Sequence, residues 1–266
     1  MSQTTSTISV NVDVTNPGQF FACCGLLELA DRLWPGAEGW FSGPCFHVAC
    51  TAEPCELIAG VVDALMGCTV YAQESEDPKT APLFLSNPIA MRLDWWLTHG
   101  EVNRFFKTWA SNATSRQMFE KWRKPLRRLR GQALAKPEQI LTLDQRLQGS
   151  YGFDSAVGWD ALNIGFSLNE HAGLKQMPTR PFVELLGTIG LQRFFPRVRV
   201  SGSGKQARAI VNYATWRVPL PPIVAGIAML GQLPHIIGEG LCTRSVTRGS
   251  FKGLDRARTV VGEAHA

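Results

Sequence analysis

The feature that most constrains the fold is the order of patterns at the start of the chain. Apolar residues alternate with polar ones over residues 8–14, a period of two that predicts a half-buried strand. The Asn-Pro-Gly sequence at 16–18 then interrupts the strand, because proline and glycine are the strongest local breakers of regular structure. Over residues 19–34 the apolar residues recur at helical spacing, with Glu28, Asp31 and Arg32 expected to face outward. A strand followed at once by a helix predicts a mixed fold.

Further along the chain the periodicity changes several times between strand and helix. Residues 101–130 carry apolar stripes at helical spacing, and Pro125 divides them into two helices because proline disrupts a helix interior. Residues 151–178 are rich in Gly, Asn and Asp, which is typical of a structured loop. The other predicted segments are strands at 46–51 and 69–73, a helix at 55–66, a polar loop at 74–88, a helix at 181–194, a hairpin at 197–220 and a basic strand or loop pair at 243–258. Together they predict an α+β fold with an N-terminal strand-helix-strand unit, central helices and a C-terminal region of basic hairpin and helix.

Charge is distributed unevenly along the chain. The 266 residues have a formal net charge of +5. Residues 1–90 contain ten acidic residues and two basic ones, Arg32 and Lys79, so this part carries −8 and residues 91–266 carry +13. We therefore expect an acidic N-terminal domain, residues 1–90, that docks on protein, and a basic region, residues 91–266, that binds nucleic acid.

Composition argues against several classes of protein. Hydrophobic residues make up 45% of the chain and charged residues 18%, which is enough apolar material for a packed core. The start of the chain has neither the positive region nor the apolar region of a secretory signal. The longest apolar stretch, residues 219–238, contains four prolines and is too interrupted to span a bilayer. Seven cysteines, an odd number, do not indicate a disulfide framework. We expect a cytoplasmic protein that does not bind a membrane.

The motifs of common enzymes and metal sites are not met. The Gly-Lys step at 204–205 lacks the other residues of a phosphate-binding loop. Cys45, Cys50 and Cys55, with His47 between them, are spaced more widely than usual structural zinc ligands, so we interpret the cysteines as buried apolar side chains. The five histidines fall in no hydrolase or deaminase motif. We expect no catalytic activity, no metal and no cofactor, although a metal-free ribonuclease needs only a His and a Lys or Arg placed together in space.

Basic residues with aromatic residues between them are the positive signal. They concentrate in three segments, residues 116–130, 185–238 and 244–258, of which the first and third contain one acidic residue each and the second contains none. In the first segment the spacing of Arg123, Arg127 and Arg130 predicts a shared helix face suited to a phosphate backbone. A solvated helix, the alternative, normally mixes both signs of charge. The residues predicted to bind nucleic acid are Arg116, Arg123, Lys124, Arg127, Arg128, Arg130, Arg197, Arg199, Lys205, Gln206, Arg208, Arg244, Arg248 and Lys252.

Two loops are candidates for more specific contacts. The predicted hairpin tip at 201–206 has glycines that allow close approach to DNA, while Lys205 can reach a phosphate and Gln206 a base edge. The alternative is that this tip is only a turn. At the entry to the first helix, Asn16 and Gln19 are predicted to form a protein-docking loop, whereas the phenylalanines that follow are expected in the core.

Five segments, taken in order, resemble one known family. They are residues 12–31 (VDVTNPGQFFACCGLLELAD), 151–170 (YGFDSAVGWDALNIGFSLNE), 181–194 (PFVELLGTIGLQRF), 213–221 (YATWRVPLP) and 247–257 (TRGSFKGLDRA). As a set they resemble the type I-U, also called I-G, CRISPR effector subunit family, which is classed with the Cascade large subunits. The segments are spread over most of the chain.

The resemblance implies a non-catalytic subunit of an antiviral interference complex built around a CRISPR RNA (crRNA). Such subunits recognise the protospacer-adjacent motif (PAM) beside the target and stabilise the displaced strand of the R-loop. The implied partners are crRNA, target DNA, other CRISPR effector subunits and a helicase-nuclease recruited to the complex. Two alternatives remain open: an RNA-processing endoribonuclease of the same pathway, and a general nucleic-acid-binding protein with no role in assembly.

Overall fold

The computed structural model describes residues 5–74, 77–79, 81–95, 113–147, 152–155, 177–202, 208–248 and 251–260. Within these ranges α-helices pack against antiparallel sheets, which confirms the α+β class. Among the same residues, no helix is both long and apolar enough to cross a lipid bilayer.

The N-terminal unit consists of β1 (Ile8–Asn11), α1 (Pro17–Leu33), β2 (Glu38–Ser42) and β3 (Cys45–Ala49). Its strands form an antiparallel sheet in the order β1-β3-β2, with Ile8 opposite Val48. Gly43 has a φ of +55°, a left-handed conformation that lets the chain reverse between β2 and β3. The predictions of β1, α1 and β3 are confirmed, and β2 was not predicted.

Helix α1 is buried on every side from Pro17 to Ala30, including the polar positions Gln19 and Glu28. Its most extensive neighbour is α5 (Pro181–Gly190), which confirms most of the helix predicted at 181–194. The two backbones touch where they cross, because a Cβ on Gly25 would lie only 1.9 Å from the carbonyl oxygen of Leu186. Glycine is therefore the residue that permits this crossing.

The prediction that Glu28 faces outward was wrong. Its side chain is 2% exposed and forms ion pairs with Arg32, 2.8 Å away, and with Arg193, 3.0 Å away. Arg193 follows α5 in the chain, so the packing of α5 against α1 brings it to Glu28. Helical periodicity within α1 could not show this contact between distant segments.

The next elements are α2 (Pro54–Gly67), β4 (Val70–Ala72), β5 (Leu83–Leu85) and β6 (Met91–Leu93). The three strands form an antiparallel sheet in the order β4-β5-β6. The predictions of α2 and β4 are confirmed. β5 lies within residues 74–88, which were predicted to be a loop, so that part of the prediction was wrong. Leu83 pairs with Ala72 on one side and Leu93 on the other, and this pairing makes the short segment a strand.

The central helices are α3 (Ser115–Arg123) and α4 (Leu126–Ala135), which confirm the predicted division at Pro125. Thr114 and Gln117 form a capping box at the start of α3. A 3-10 helix (Pro137–Thr142), β7 (Gln145–Leu147) and β8 (Met177–Thr179) follow. Most of the loop predicted at 151–178 lies outside the described residues, as do residues 101–112 of the predicted helical segment.

The C-terminal part contains β9 (Arg197–Ser201), β10 (Arg208–Trp216), α6 (Pro222–Met229), a 3-10 helix (Pro234–Ile236), β11 (Ile237–Arg248), β12 (Phe251–Leu254) and β13 (Arg258–Thr259). The strands form an antiparallel sheet in the order β12-β11-β10-β9, with β13 also paired to β11. The pairing of β9 with β10 confirms the predicted hairpin, and β11 begins six residues before the strand predicted at 243.

One hydrophobic core connects these elements. Phe20 of α1 packs against Tyr213 of β10, with ring centroids 4.4 Å apart. The indole nitrogen of Trp216 donates a hydrogen bond of 2.6 Å to the carbonyl oxygen of Gly39, which joins the C-terminal sheet to the N-terminal one. The change in net charge at residue 90 therefore does not mark a border between two separate hydrophobic cores.

Candidate nucleic-acid interface

One side of the C-terminal sheet packs on α1, and this orients the arginines on the other side. Val211 and Tyr213 are buried on the inner side, and the Tyr213 hydroxyl donates a hydrogen bond of 3.0 Å to the carbonyl oxygen of Val14. Burial raises the pKa of Tyr213 well above its usual value. Because side chains alternate along a strand, the residues between these anchors face away from the core.

Strand register assembles the arginines into rows. Directly opposite residues of neighbouring strands lie on the same face of a sheet. One row runs Arg199, Ile210, Arg244, and the next runs Arg197, Asn212, Cys242, Arg258. Strands lie about 4.8 Å apart, so the second row is about 14 Å wide. We define the arginine face by Arg197, Arg199, Arg208, Arg244 and Arg258.

Few carboxylates of the described residues compensate the exposed arginines of this face. The exposed arginines are Arg197, Arg199, Arg244 and Arg258. Of these four, Arg244 forms an ion pair with a described acidic residue, Asp255, whose carboxylate lies 3.6 Å from the guanidinium, and both side chains are well exposed. Burial raises the pKa of the Cys242 thiol, and the nearby charge of Arg199 acts in the opposite direction. The face therefore presents several guanidinium groups to solvent.

The central helices carry a second basic surface, but not the one predicted from spacing. Arg123 binds both carboxylate oxygens of Glu120, each 2.8 Å away, and also donates to the carbonyl oxygen of Cys68. Arg130 binds Asp63 of α2 through two hydrogen bonds of 2.9 Å, which lower the pKa of Asp63. The prediction that these two arginines and Arg127 share one phosphate-binding face is thus corrected. The three arginines do not share one helix, because α3 ends before Pro125 and α4 begins after it. Arg123 and Arg130 are in addition held by carboxylates.

Lys121 of α3 is half-buried, and burial lowers its pKa. The other remaining basic residues of α3, α4 and the turn between them are available to solvent. In the part of the chain that the structure describes, none of these pairs with a carboxylate, and all are exposed. They are Arg116, Lys124, Arg127 and Arg128. We call this set the helical basic surface.

Several predicted contacts of the C-terminal region are only partly visible. Lys205 and Gln206, at the tip of the β9-β10 hairpin, lie outside the described residues. In the register of β11 and β12, the backbone of Arg248 lies opposite Phe251, and the backbone of Lys252 lies opposite Thr247. Arg258 belongs to the third basic segment but was not among the individual residues predicted to bind nucleic acid, and its place opposite Cys242 puts it on the arginine face.

Asn16 and Gln19 are not positioned to dock a partner, and that prediction is corrected. They are 1% and 6% exposed. The Asn16 side-chain oxygen accepts from the amides of Gly18 and Ser155, while its side-chain nitrogen donates to Asp154 at 2.7 Å. The Gln19 side-chain oxygen accepts from a backbone amide at 2.8 Å. Both residues fix the entry to α1 from inside the protein.

Among the residues that the structure describes, the histidine and cysteine side chains do not come together in a recognisable catalytic or metal site. Within the described ranges, no group of three His, Cys, Asp or Glu residues is placed to hold a metal ion. His47 contacts the Ser9 hydroxyl at 2.7 Å and stacks on Trp40, and burial lowers its pKa. Among the described residues no carboxylate binds its other ring nitrogen, which a Ser-His-Asp arrangement would require. Burial also raises the pKa values of Cys23 and Cys24, which disfavours thiolate chemistry there.

Neither comparison with known proteins finds a relative. No family model matches the chain, and a search of curated proteins gives no match.

Proposed function

We propose that this chain is a non-catalytic nucleic-acid-binding protein that contacts the sugar-phosphate backbone through the arginine face. The observation that carries the proposal is the pair of rows that place Arg197, Arg199, Arg244 and Arg258 on one exposed side of a sheet. A guanidinium group presents a planar fork of donors that matches phosphate oxygens. An array of guanidinium groups with little compensating charge favours a polyanion.

The other residues of the face favour backbone contact over base stacking. RNA-binding sheets that read bases carry aromatic side chains on which bases stack. In the two rows, the positions between the arginines are occupied by Ile210, Asn212 and Cys242, none of which is aromatic. We expect binding that depends strongly on salt and weakly on sequence. The helical basic surface supplies a second region for the same kind of contact.

We further propose that the protein acts as a subunit of a type I CRISPR interference complex. What supports this is the resemblance of the five segments to the type I-U (I-G) effector subunit family, which is an argument separate from charge. The proposed partners are crRNA, target DNA, other effector subunits and a recruited helicase-nuclease, with PAM recognition and R-loop stabilisation as the role. The proposed location is the cytoplasm.

The first experiment tests nucleic-acid binding by salt dependence. Arg197→Ala combined with Arg199→Ala should reduce the slope of log affinity against log salt by about 1.4 to 1.8, since each phosphate contact contributes about 0.7 to 0.9. Labelled single-stranded RNA and duplex DNA are titrated by fluorescence anisotropy. The matched control, Arg92→Ala with Arg256→Ala, loses the same charge at residues outside the two rows, which pair with Asp94 and Asp13. Equal slopes for both double variants would contradict the proposal.

The second experiment tests membership in a complex. The tagged chain is co-expressed with the other type I-U effector proteins and a CRISPR array, then purified at high salt. A stable complex containing guide RNA is expected. Purification of the chain alone would favour the general nucleic-acid-binding protein. Cleavage of repeat RNA by the isolated chain, lost in His47→Ala, would favour the endoribonuclease.

A further inference from the structure

A groove of about 530 Å³ lies between the start of β6, the turn that follows α5, and α6, and its lining residues do not include the arginines that define the arginine face. Its lining combines two kinds of side chain. Phe195, Ile223 and Ile227 are apolar, and Arg32, Arg92 and Arg193 are cationic. The proposed nucleic-acid contacts do not use this combination.

The three apolar lining residues are exposed to solvent. Ile223 is 65% exposed, Ile227 42% and Phe195 43%. Ile223 and Ile227 are four residues apart on α6 and therefore lie on one face of that helix. The opposite face of α6 is buried through Ala225 and Ala228, so the helix is apolar on both sides. Exposed apolar residues grouped beside a groove are typical of an interaction site.

The three arginines carry an excess of positive charge over the carboxylates that the structure describes beside them. Arg32 and Arg193 share the single buried carboxylate of Glu28, so among the described residues one carboxylate serves two guanidinium groups. Arg92 pairs with Asp94 through its Nε, 3.0 Å away, and is 51% exposed. A guanidinium has five donors, so Arg92 retains donors for a second carboxylate. The groove therefore combines apolar and cationic side chains.

We propose that this groove docks an acidic, apolar segment of a partner protein. Apolar residues spaced along one side of such a segment would contact Phe195, Ile223 and Ile227, while its carboxylates would bind Arg92 and Arg193. Aliphatic side chains favour a protein partner over nucleic acid, because bases stack on aromatic rings and guanidinium planes. Protein interfaces, in contrast, combine buried apolar anchors with arginine. This inference does not depend on the proposed nucleic-acid function.

The test uses two designed helical peptides of equal length as probes. The first has leucines at i and i+4 with glutamates at the neighbouring positions, and the second has lysines in place of the glutamates. Binding of each fluorescein-labelled peptide to the full chain is measured by anisotropy. We expect the glutamate peptide to bind, and the lysine peptide to bind at least tenfold more weakly. Ile223→Ser with Ile227→Ser should weaken glutamate-peptide binding about tenfold or more, because both apolar contacts are lost.

Control variants separate the groove from general surface effects. Tyr71→Ser removes an aromatic side chain that is 50% exposed and lies outside the groove, so peptide affinity should stay unchanged. A single-stranded deoxythymidine oligonucleotide should bind the isoleucine variant as it binds the unaltered protein. The proposal is overturned if the unaltered protein does not bind the glutamate peptide, if both peptides bind alike, or if the isoleucine variant binds the glutamate peptide as tightly as the unaltered protein does.

Discussion

Gly25→Ala should destabilise the protein strongly, because α1 and α5 cross with their backbones in contact. A Cβ at residue 25 would lie 1.9 Å from the carbonyl oxygen of Leu186 and 2.7 Å from the carbonyl carbon of the same residue. Ordinary van der Waals contacts of a Cβ begin at 3.4 Å. The obstacle is backbone, so no side-chain rotation can relieve the clash. A Cβ at Gly190 would meet the carbonyl oxygen of Phe21 at 2.1 Å, so the crossing is equally close from the other helix.

The expected magnitude follows from the need to separate two buried helices. Overpacking a core costs about 1 to 3 kcal/mol and occasionally more. A clash between the new Cβ and the backbone of a buried helix should therefore lower the free energy of unfolding by about 3 kcal/mol or more. That is a large share of a typical total stability of about 5 to 15 kcal/mol. For a chain of this size it corresponds to a fall in Tm of about 6 °C or more.

Gly131→Ala is the matched control for this experiment. Gly131 lies inside α4, and a Cβ there would meet nothing within 4 Å. Replacing glycine by alanine within a helix stabilises by about 0.5 to 1 kcal/mol. Urea unfolding followed by far-UV circular dichroism should therefore move the two midpoints in opposite directions. Equal midpoints for Gly25→Ala and the unaltered protein would refute the packing argument.

Two further predictions concern buried polar contacts. Asn16→Ala removes a helix cap and leaves the amide of Ser155 and the carboxyl of Asp154 without their Asn16 partner. Thermal unfolding should show a loss of about 1 to 3 kcal/mol in the free energy of unfolding. An unchanged Tm would contradict this role of Asn16. Burial lowers the pKa of His47 from its ordinary value of 6.5, so the unfolded chain binds the proton more readily. The stability that His47 contributes should be complete above about pH 6.5 and lost as pH falls through the lower folded pKa. Unfolding of His47→Gln across this range should show a weaker pH dependence, and an NMR titration placing the His47 pKa above 6.5 would contradict the argument.

The sequence predicted elements well where local periodicity decides the structure. The alternation at residues 8–14 and the helical spacing after Pro17 located β1 and α1, and the break at Pro125 was found because proline acts locally. β5 was missed because a strand of three residues has too little pattern to show a period of two. Its existence depends on β4 and β6, which are separate segments.

The site depended on contacts between segments that the sequence pattern does not reveal. Arg197 and Arg199 alternate with valines in β9, a pattern that already places both arginines on one side of a strand. Their alignment with Arg244 and Arg258 required the register of β10 and β11. Arg130 was predicted to bind phosphate, but its guanidinium is held by Asp63, which lies 67 residues earlier in the chain. Charge alone could not distinguish an arginine held by a carboxylate from one exposed to solvent.

Photo-cross-linking tests the central claim most directly. The full chain is irradiated with an oligonucleotide that carries 4-thiothymidine at several positions, and the cross-linked peptides are identified by mass spectrometry. Cross-links are expected in peptides that contain β9, the start of β10 and the middle of β11, and they should decrease in Arg197→Ala with Arg199→Ala. Cross-links confined to α2 and β4 to β6, with none in the C-terminal sheet, would contradict the proposal that the arginine face binds nucleic acid.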